Sequence, residues 1–106
     1  MKYGLDILVV QKIQQVFAGF PQINEVILYG SRAKGNYNPG SDLDLTVKGE
    51  NLSLSVMNQI GLDIDDLMLP YIVDISVFSH IKNPDLLENI HRVGIVFYQK
   101  EFSLKF

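Results

Sequence analysis

The feature of the sequence that most constrains its fold is a Gly-Ser turn followed at a short interval by two aspartates. Gly30 and Ser31 come directly after an apolar run, and Asp42 and Asp44 follow a bend rich in asparagine, proline and glycine. Because successive side chains of a strand alternate between its two faces, Asp42 and Asp44 share one face while Leu43 points to the other. Carboxylate oxygens are ligands of hard cations. The segment therefore predicts a site for a nucleotide and magnesium.

The length and composition are those of one small globular domain. The chain has 106 residues, of which 47% are hydrophobic, and this is enough for one core but too little for two. We therefore expect a single domain over residues 1–106. The formal net charge of -3 provides no basic field for polyanions, so direct binding of nucleic acid is disfavoured.

The chain contains no cysteine, which excludes thiolate ligands and leaves carboxylates as the main candidates for holding a hard cation. No basic and apolar leader opens the sequence, and no apolar run approaches the roughly 20 residues that a membrane helix needs. We therefore expect a cytoplasmic protein without a membrane partner.

The hydrophobic pattern alternates between helical and extended segments, which is typical of an α/β (α+β) fold. The helical pattern covers residues 5–20, 56–68 and 84–92. The extended pattern covers residues 25–29, 43–47, 71–78 and 95–98, the last as a short edge strand. In the last helix, Asn83 suits the N-cap, Pro84 the first helical position, and Gly94 lies beyond the end.

A single acidic residue, Asp74, lies in the middle of the third apolar run. An isolated ionised carboxylate is very unfavourable in an apolar interior, so Asp74 must be paired, neutralised, or exposed toward a ligand. If the three strands converge, Asp74 joins Asp42 and Asp44 beside the Gly-Ser turn. Such a trio of carboxylates can hold two divalent ions.

Each of these features also has a structural interpretation. Gly30 and Ser31 can form an ordinary turn with a capping serine, and the Asp42 and Asp44 pair a capped turn with one solvated carboxylate. Asp74 can form an ion pair with Lys34 or Arg92. Arg32 and Lys34 can contact phosphates or be solubilising surface charges.

The combined pattern of Ser31, ten intervening residues, Asp42-x-Asp44 and then Asp74 in an apolar strand resembles the DNA polymerase β type nucleotidyltransferase superfamily. The short length resembles its minimal nucleotidyltransferase (MNT) branch. The resemblance covers nearly the whole chain. The turn is not a P-loop, because residues 30–35 lack the terminal Gly-Lys-Ser/Thr.

The resemblance implies a small mixed sheet flanked by helices, with Gly30 and Ser31 binding nucleotide phosphates at a helix N-terminus. It implies that Asp42 and Asp44 bind two magnesium ions, and that Asp74 binds the catalytic ion and helps to activate the acceptor hydroxyl. The implied reaction transfers a nucleoside monophosphate and releases pyrophosphate, with ATP as the substrate.

Members of this branch are typically partners of a small helical HEPN protein, and the resemblance implies an antitoxin that joins such a protein in a hetero-oligomer. Some members transfer AMP to a tyrosine of the toxin. The alternative is a nucleotide-binding antitoxin that neutralises its partner by binding alone. The exposed sheet edge, or the apolar residues Phe97, Phe102 and Phe106, can serve as a partner surface.

Overall fold

The computed structural model describes residues 2–100, which fold into a four-stranded mixed sheet with helices packed against it. The helices are α1 (Ile7–Ala18), α2 (Ser31–Lys34), α3 (Leu54–Asp65) and α4 (Pro84–Val93). The strands are β1 (Ile23–Tyr29), β2 (Leu43–Gly49), β3 (Val73–Val77) and β4 (Ile95–Gln99). The predicted α/β class is confirmed.

Three helices begin at residues whose side chains accept backbone N–H groups of the first turn. Asp6 accepts from the backbone of Leu8 at the start of α1, and Ser53 caps α3. The predicted N-cap of α4 is confirmed, since the Asn83 side chain accepts from the backbone N–H groups of Asp85 and Leu86. These bonds satisfy donors that have no partner within the helix.

The strand order is β3-β2-β1-β4, so β3 and β4 form the two edges of the sheet. Strands β1 and β2 are antiparallel, β1 and β4 are antiparallel, and β2 and β3 are parallel. As a result, the end of β1 and the beginnings of β2 and β3 meet at one end of the sheet. The prediction that 95–98 form an edge strand is confirmed.

One face of the sheet packs on α1 and α3 and forms the core. In β2 the alternation places Leu43, Leu45 and Val47 in this core with no exposed surface. At the far side of the core, the Phe17 ring of α1 meets the rings of Phe97 and Tyr98 with centroids 6.4 and 5.9 Å apart. Burial of this apolar surface is the main stabilising contribution.

The other face of β2 and β3 is polar. Thr46 lies opposite Ser76, and the Ser76 hydroxyl donates to the Thr46 hydroxyl over 3.0 Å. Farther along, the Lys48 ammonium lies 3.7 Å from the Glu25 carboxylate and 4.5 Å from the centre of the Phe78 ring. The polar side chains that follow Asp44 in β2 and Asp74 in β3 therefore have hydrogen-bond or charge partners nearby.

The element boundaries differ from the predicted ones by a few residues. Helix α1 begins later than predicted, because Tyr3 and Gly4 have positive φ and Asp6 caps the helix. Strand β3 stops at Val77, and Phe78–His80 form a 3-10 turn instead of continuing the strand. Phe102 and Phe106, predicted as a partner surface, lie outside the described residues. No helix within residues 2–100 is both long and apolar enough to cross a bilayer.

Truncation of the Phe17 ring is expected to destabilise the fold strongly. Phe17→Ala removes a ring with no exposed surface and leaves a cavity, so we expect the free energy of unfolding to fall by about 3–5 kcal/mol. Leu8→Ala, on the same helix at a position that is 61% exposed, is the control and should change it by less than about 0.5 kcal/mol. Urea denaturation measures both, and equal losses would contradict this assignment of the core.

Candidate functional site

The predicted site residues come together where β1 ends and β2 and β3 begin. Tyr29 is the register partner of Asp44, and Asp44 is the register partner of Asp74. Partners in neighbouring strands lie about 4.8 Å apart and project from the same face of the sheet. Asp42 precedes β2 by one residue. Three segments that are distant in sequence thus deliver a tyrosine and two carboxylates to one row.

The charge environment of Asp44 includes the two other predicted carboxylates. The pKa of Asp44 is raised above its ordinary value, first by burial of the carboxyl group and then by the negative charges of Asp74 and Asp42. Asp44 is half-buried, whereas Asp42 and Asp74 are exposed. The three side chains therefore concentrate negative charge at one end of the sheet.

No basic side chain within residues 2–100 forms an ion pair with any of these three carboxylates. The pairing of Asp74 with Lys34 or Arg92, which was the structural interpretation of this residue, is therefore not made. Asp74 instead occupies the exposed strand position that the sequence left as one of three possibilities. An exposed carboxylate beside another carboxylate is suited to binding a cation.

Within the described residues, no three acidic or histidine side chains are grouped closely enough to hold a metal ion by themselves. The charges of Asp42 and Asp74 raise the pKa of Asp44 over a longer distance than metal coordination spans, so the two observations are compatible. Magnesium commonly takes only one or two carboxylates from a protein and completes its octahedron with water and substrate phosphates. The donor set therefore fits magnesium bound together with a nucleotide.

Gly30 makes room for the Asp44 carboxylate. Its backbone has φ +76° and ψ -156°, a combination that only glycine adopts readily. A Cβ atom at Gly30 would also overlap the Asp44 carboxylate oxygen Oδ2. The turn thus needs glycine for two independent reasons, its backbone conformation and its close approach to Asp44.

Ser31 and Lys34 lie at the two ends of α2, directly after the turn. Ser31 is half-buried, and its carbonyl accepts the backbone N–H of Gly35 over 3.0 Å. Lys34 is exposed. Both residues therefore lie in the segment that joins β1 to the Asp42 bend, and Lys34 is free to approach a ligand on the surface.

Arg32 is placed differently from the phosphate contact that its sequence position suggested. Only 2% of the residue is exposed, and its guanidinium donates four hydrogen bonds to the backbone carbonyls of Tyr3, Pro39 and Ser41. A guanidinium occupied in this way is not available to a nucleotide in the cleft. Arg32 is thus part of the framework of the site.

Two aromatic residues near the site were not identified from the sequence. The pKa of Tyr29 is raised above its ordinary value by burial, partly offset by a hydrogen bond with Ser76, while the charges of Asp44 and Asp74 raise it further. The sequence predicts the strand that contains Tyr29, but it does not show that Tyr29 pairs with Asp44 in the sheet. Tyr71, three residues before Asp74, packs on Arg32 at 5.1 Å from the ring centre.

Among the cavities lined by described residues, a smaller and a larger one adjoin the sheet. The smaller, about 330 Å³, lies between α3 and β3 and is lined by Asp74 together with Asp65 and apolar residues. The larger, about 950 Å³, lies between α1 and β4 and contains none of the three aspartates. Size does not make the larger cavity the candidate site, because it contains neither Tyr29 nor Asp44, the residues whose pKa values are raised.

The comparison with protein families gives one match, to the family described as polymerase beta, nucleotidyltransferase, over residues 11–103. A search of curated proteins found no match.

Solved structures show where the same fold occurs. A chain of a toxin–antitoxin structure with AMP-PNP matches with a TM-score of 0.69 and 17% identity, covering 87% of this chain and 74% of that one. The complex of a tri-AMPylated Shewanella oneidensis HEPN toxin with an MNT antitoxin matches with a TM-score of 0.65 and 15% identity, covering 91% and 74%. At this identity the likeness shows a shared fold alone.

The effect of a side chain at Gly30 can be compared with that at Gly35. Gly35 has φ +86° and ψ 2°, which is left-handed backbone, and open space around it, so Gly35→Ala should cost about 1–2 kcal/mol of stability. Gly30→Ala meets a ψ of -156° that is costlier for alanine and also the overlap with Asp44, so we expect a larger loss of stability. Weaker binding of divalent cations, measured by calorimetric titration with manganese, is the expected sign of the overlap itself. Equal manganese affinity of the two variants would contradict the role of Gly30 in placing Asp44.

The raised pKa of Asp44 predicts that this residue destabilises the metal-free fold. Because the folded state binds the Asp44 proton more tightly than the unfolded chain does, this group's contribution to stability falls as pH rises from the ordinary aspartate pKa through the folded value. Asp44→Asn should therefore raise the melting temperature without metal at neutral pH, and should flatten the pH dependence.

Asp66→Asn, an exposed change at the end of α3, is the control for Asp44→Asn and should leave the melting temperature nearly unchanged. With magnesium and nucleotide present, the unmodified protein should have a higher melting temperature than Asp44→Asn, since only a site that keeps Asp44 gains the full binding energy. A lower melting temperature for metal-free Asp44→Asn than for the unmodified protein would contradict this account.

Proposed function

The chain belongs to the polymerase beta nucleotidyltransferase family, and on that premise we propose that it transfers AMP from ATP to a hydroxyl acceptor in a magnesium-dependent reaction. The observation that carries the proposal is the register of the sheet, which pairs Asp44 with Asp74 beside the Gly30 turn. Neither carboxylate has a basic partner within residues 2–100. Such uncompensated charge is what a site for cations requires.

In the proposed site, Asp42 and Asp44 would hold two magnesium ions, and Asp74 would hold the catalytic one of the two. When bound, the metal neutralises phosphate charge and lowers the pKa of the acceptor hydroxyl. Gly30 and Ser31 supply backbone N–H groups toward the phosphates, and exposed Lys34 adds a positive charge. Arg32 is omitted from this set because its donors are used internally.

The reaction forms one bond and breaks one bond at the α-phosphorus. The acceptor oxygen bonds to the α-phosphorus, and the bond from that phosphorus to the bridging oxygen of pyrophosphate breaks. Asp74 is exposed on the edge strand β3 and is the group proposed to help take the acceptor proton. Because phosphoryl-type transfer depends on positioning and charge neutralisation, a rigid sheet end is a suitable platform.

The proposed acceptor is a tyrosine of a small helical HEPN toxin, with which this chain forms a hetero-oligomer as its antitoxin. Support comes from two matched structures, one of a toxin–antitoxin pair with AMP-PNP and one of a tri-AMPylated HEPN toxin with an MNT antitoxin. A net charge of -3 is consistent with a protein acceptor and gives no support to a nucleic-acid template.

The alternative function is neutralisation of the toxin by binding alone, without transfer of AMP. An antitoxin that keeps the fold and nucleotide site but relies on occlusion would need no complete metal centre. The two functions differ in whether a covalent bond to the toxin is formed.

The test combines the purified protein, the HEPN partner protein, magnesium and labelled ATP. We expect covalent transfer of label to the partner, and Asp42→Asn with Asp44→Asn should reduce the rate by roughly 100-fold or more, since metal stabilisation of the transition state contributes several kcal/mol. Asp66→Asn with Glu88→Gln removes two negative charges elsewhere and is the matched control. Label transfer should persist in this control.

Each outcome separates the proposed functions. Transfer that survives the change of Asp42 and Asp44 would exclude the proposed metal site. No transfer by the unmodified protein, together with protection of toxin-expressing cells by the doubly changed variant, would favour occlusion. Mass spectrometry of the partner identifies the modified residue, and label on a residue other than tyrosine would overturn the acceptor assignment.

A further inference from the structure

The interior of the protein contains a guanidinium that the proposed chemistry does not use. Arg32 is 2% exposed and forms no ion pair with a carboxylate among residues 2–100. A buried charge is very unfavourable unless its hydrogen-bonding groups are satisfied. Its retention in the core therefore calls for a specific set of partners.

Those partners are backbone carbonyls from two separate segments. The Arg32 Nε and Nη2 atoms both donate to the Ser41 carbonyl, over 3.0 and 2.9 Å. The Nη2 atom also donates to the Pro39 carbonyl over 3.1 Å, and Nη1 donates to the Tyr3 carbonyl over 2.8 Å. The planar fork of arginine allows one side chain to reach all three acceptors.

Two aromatic rings complete the environment of the guanidinium. Its central carbon lies 5.2 Å from the centre of the Tyr37 ring and 5.1 Å from that of Tyr71. Cation–π contacts at such distances stabilise a positive charge that is shielded from water. Tyr37 belongs to the bend before β2, and Tyr71 to the segment before β3.

The contacts of Arg32 join the chain segments that carry the site residues. Ser31 precedes Arg32 directly, the carbonyl acceptor Ser41 precedes Asp42 directly, and Tyr71 lies three residues before Asp74. The backbone N–H of Leu43 also donates to the Ile72 carbonyl over 2.9 Å, which links the starts of β2 and β3. One side chain thus contacts every segment that enters the site.

We propose that Arg32 is a positioning residue that fixes the Asp42 segment and the start of β3 against the Gly30-Ser31 turn. The effect of Arg32 on the binding of metal and nucleotide rests on the proposed function, whereas its effect on the conformation of the bend before β2 does not. Lysine is not equivalent, because its three donors radiate from one nitrogen and cannot reproduce the spread of Nε, Nη1 and Nη2 over the carbonyls of Tyr3, Pro39 and Ser41. The positive charge alone is therefore insufficient.

The test compares Arg32→Lys with the unmodified 106-residue chain by two measurements. Hydrogen exchange should become faster at the backbone amides of residues 36–43, because their local opening becomes easier. Manganese titration with AMP-PNP, followed by electron paramagnetic resonance, should show affinity weakened by about tenfold or more, the effect usual for loss of groups that orient metal ligands. Tyr37→Leu, which keeps all carbonyl bonds, should produce a smaller change of both kinds.

The controls distinguish positioning from a general loss of stability. Ile23 is fully buried at the opposite end of β1, so Ile23→Val and Ile23→Ala provide variants of graded stability without contact to Arg32. If the bend in Arg32→Lys exchanges no faster than in the Ile23 variant of equal stability, the proposal is overturned. If hydrogen exchange in the bend becomes faster but the manganese affinity equals that of the Ile23 control, the proposed effect of Arg32 on the metal site is wrong. An unmodified protein that does not bind manganese would instead reject the proposed function and leave the exchange result to decide the role of Arg32.

Discussion

The structure depends on a sheet register that holds two like charges side by side. The core-facing residues of β2 and β3 set this register, because the apolar alternation around Leu45 cannot slip by one residue without exposing the core. Once it is set, Asp44 and Asp74 must be partners, and burial of Asp44 makes their repulsion more costly. Hydrophobic burial thus maintains an electrostatic arrangement that is unfavourable in the absence of a cation.

The local conformation of the Gly30 turn follows from the same arrangement. The chain must leave β1 and enter α2 while its backbone passes against the Asp44 carboxylate, and only glycine leaves the necessary space. This places the backbone amides that follow Gly30 close to the acidic row. A nucleotide that brings phosphate oxygens and a cation together would meet both kinds of group at once. The proposed transferase activity thus relies on contacts between segments that are remote in sequence.

Arg32 and Lys34 show why neighbouring basic residues are not equivalent. Both lie in the four-residue helix α2, yet Arg32 turns inward to the carbonyls of the bend while Lys34 remains exposed. Arg32 is held inward by hydrogen bonds to backbone carbonyls, and the rings of Tyr37 and Tyr71, from other segments, lie 5.2 and 5.1 Å from its guanidinium carbon. The composition of the turn suggests two phosphate contacts, but contacts with other segments leave only one of them accessible.

Local periodicity and residue chemistry predict the alternation of helices and strands and the N-cap at Asn83, and both are confirmed, whereas the roles of Asp42, Asp44 and Asp74 stay predictions. The ends of α1 and β3 were less predictable, because positive φ at Tyr3 and the 3-10 turn at Phe78–His80 compete with simple apolar patterns. Contacts between distant segments set which residues face one another, namely the row from Tyr29 through Asp44 to Asp74 and the carbonyls and rings around Arg32. The reason is physical, because strand order, register and the burial of a charge are set by contacts between segments that no local pattern encodes.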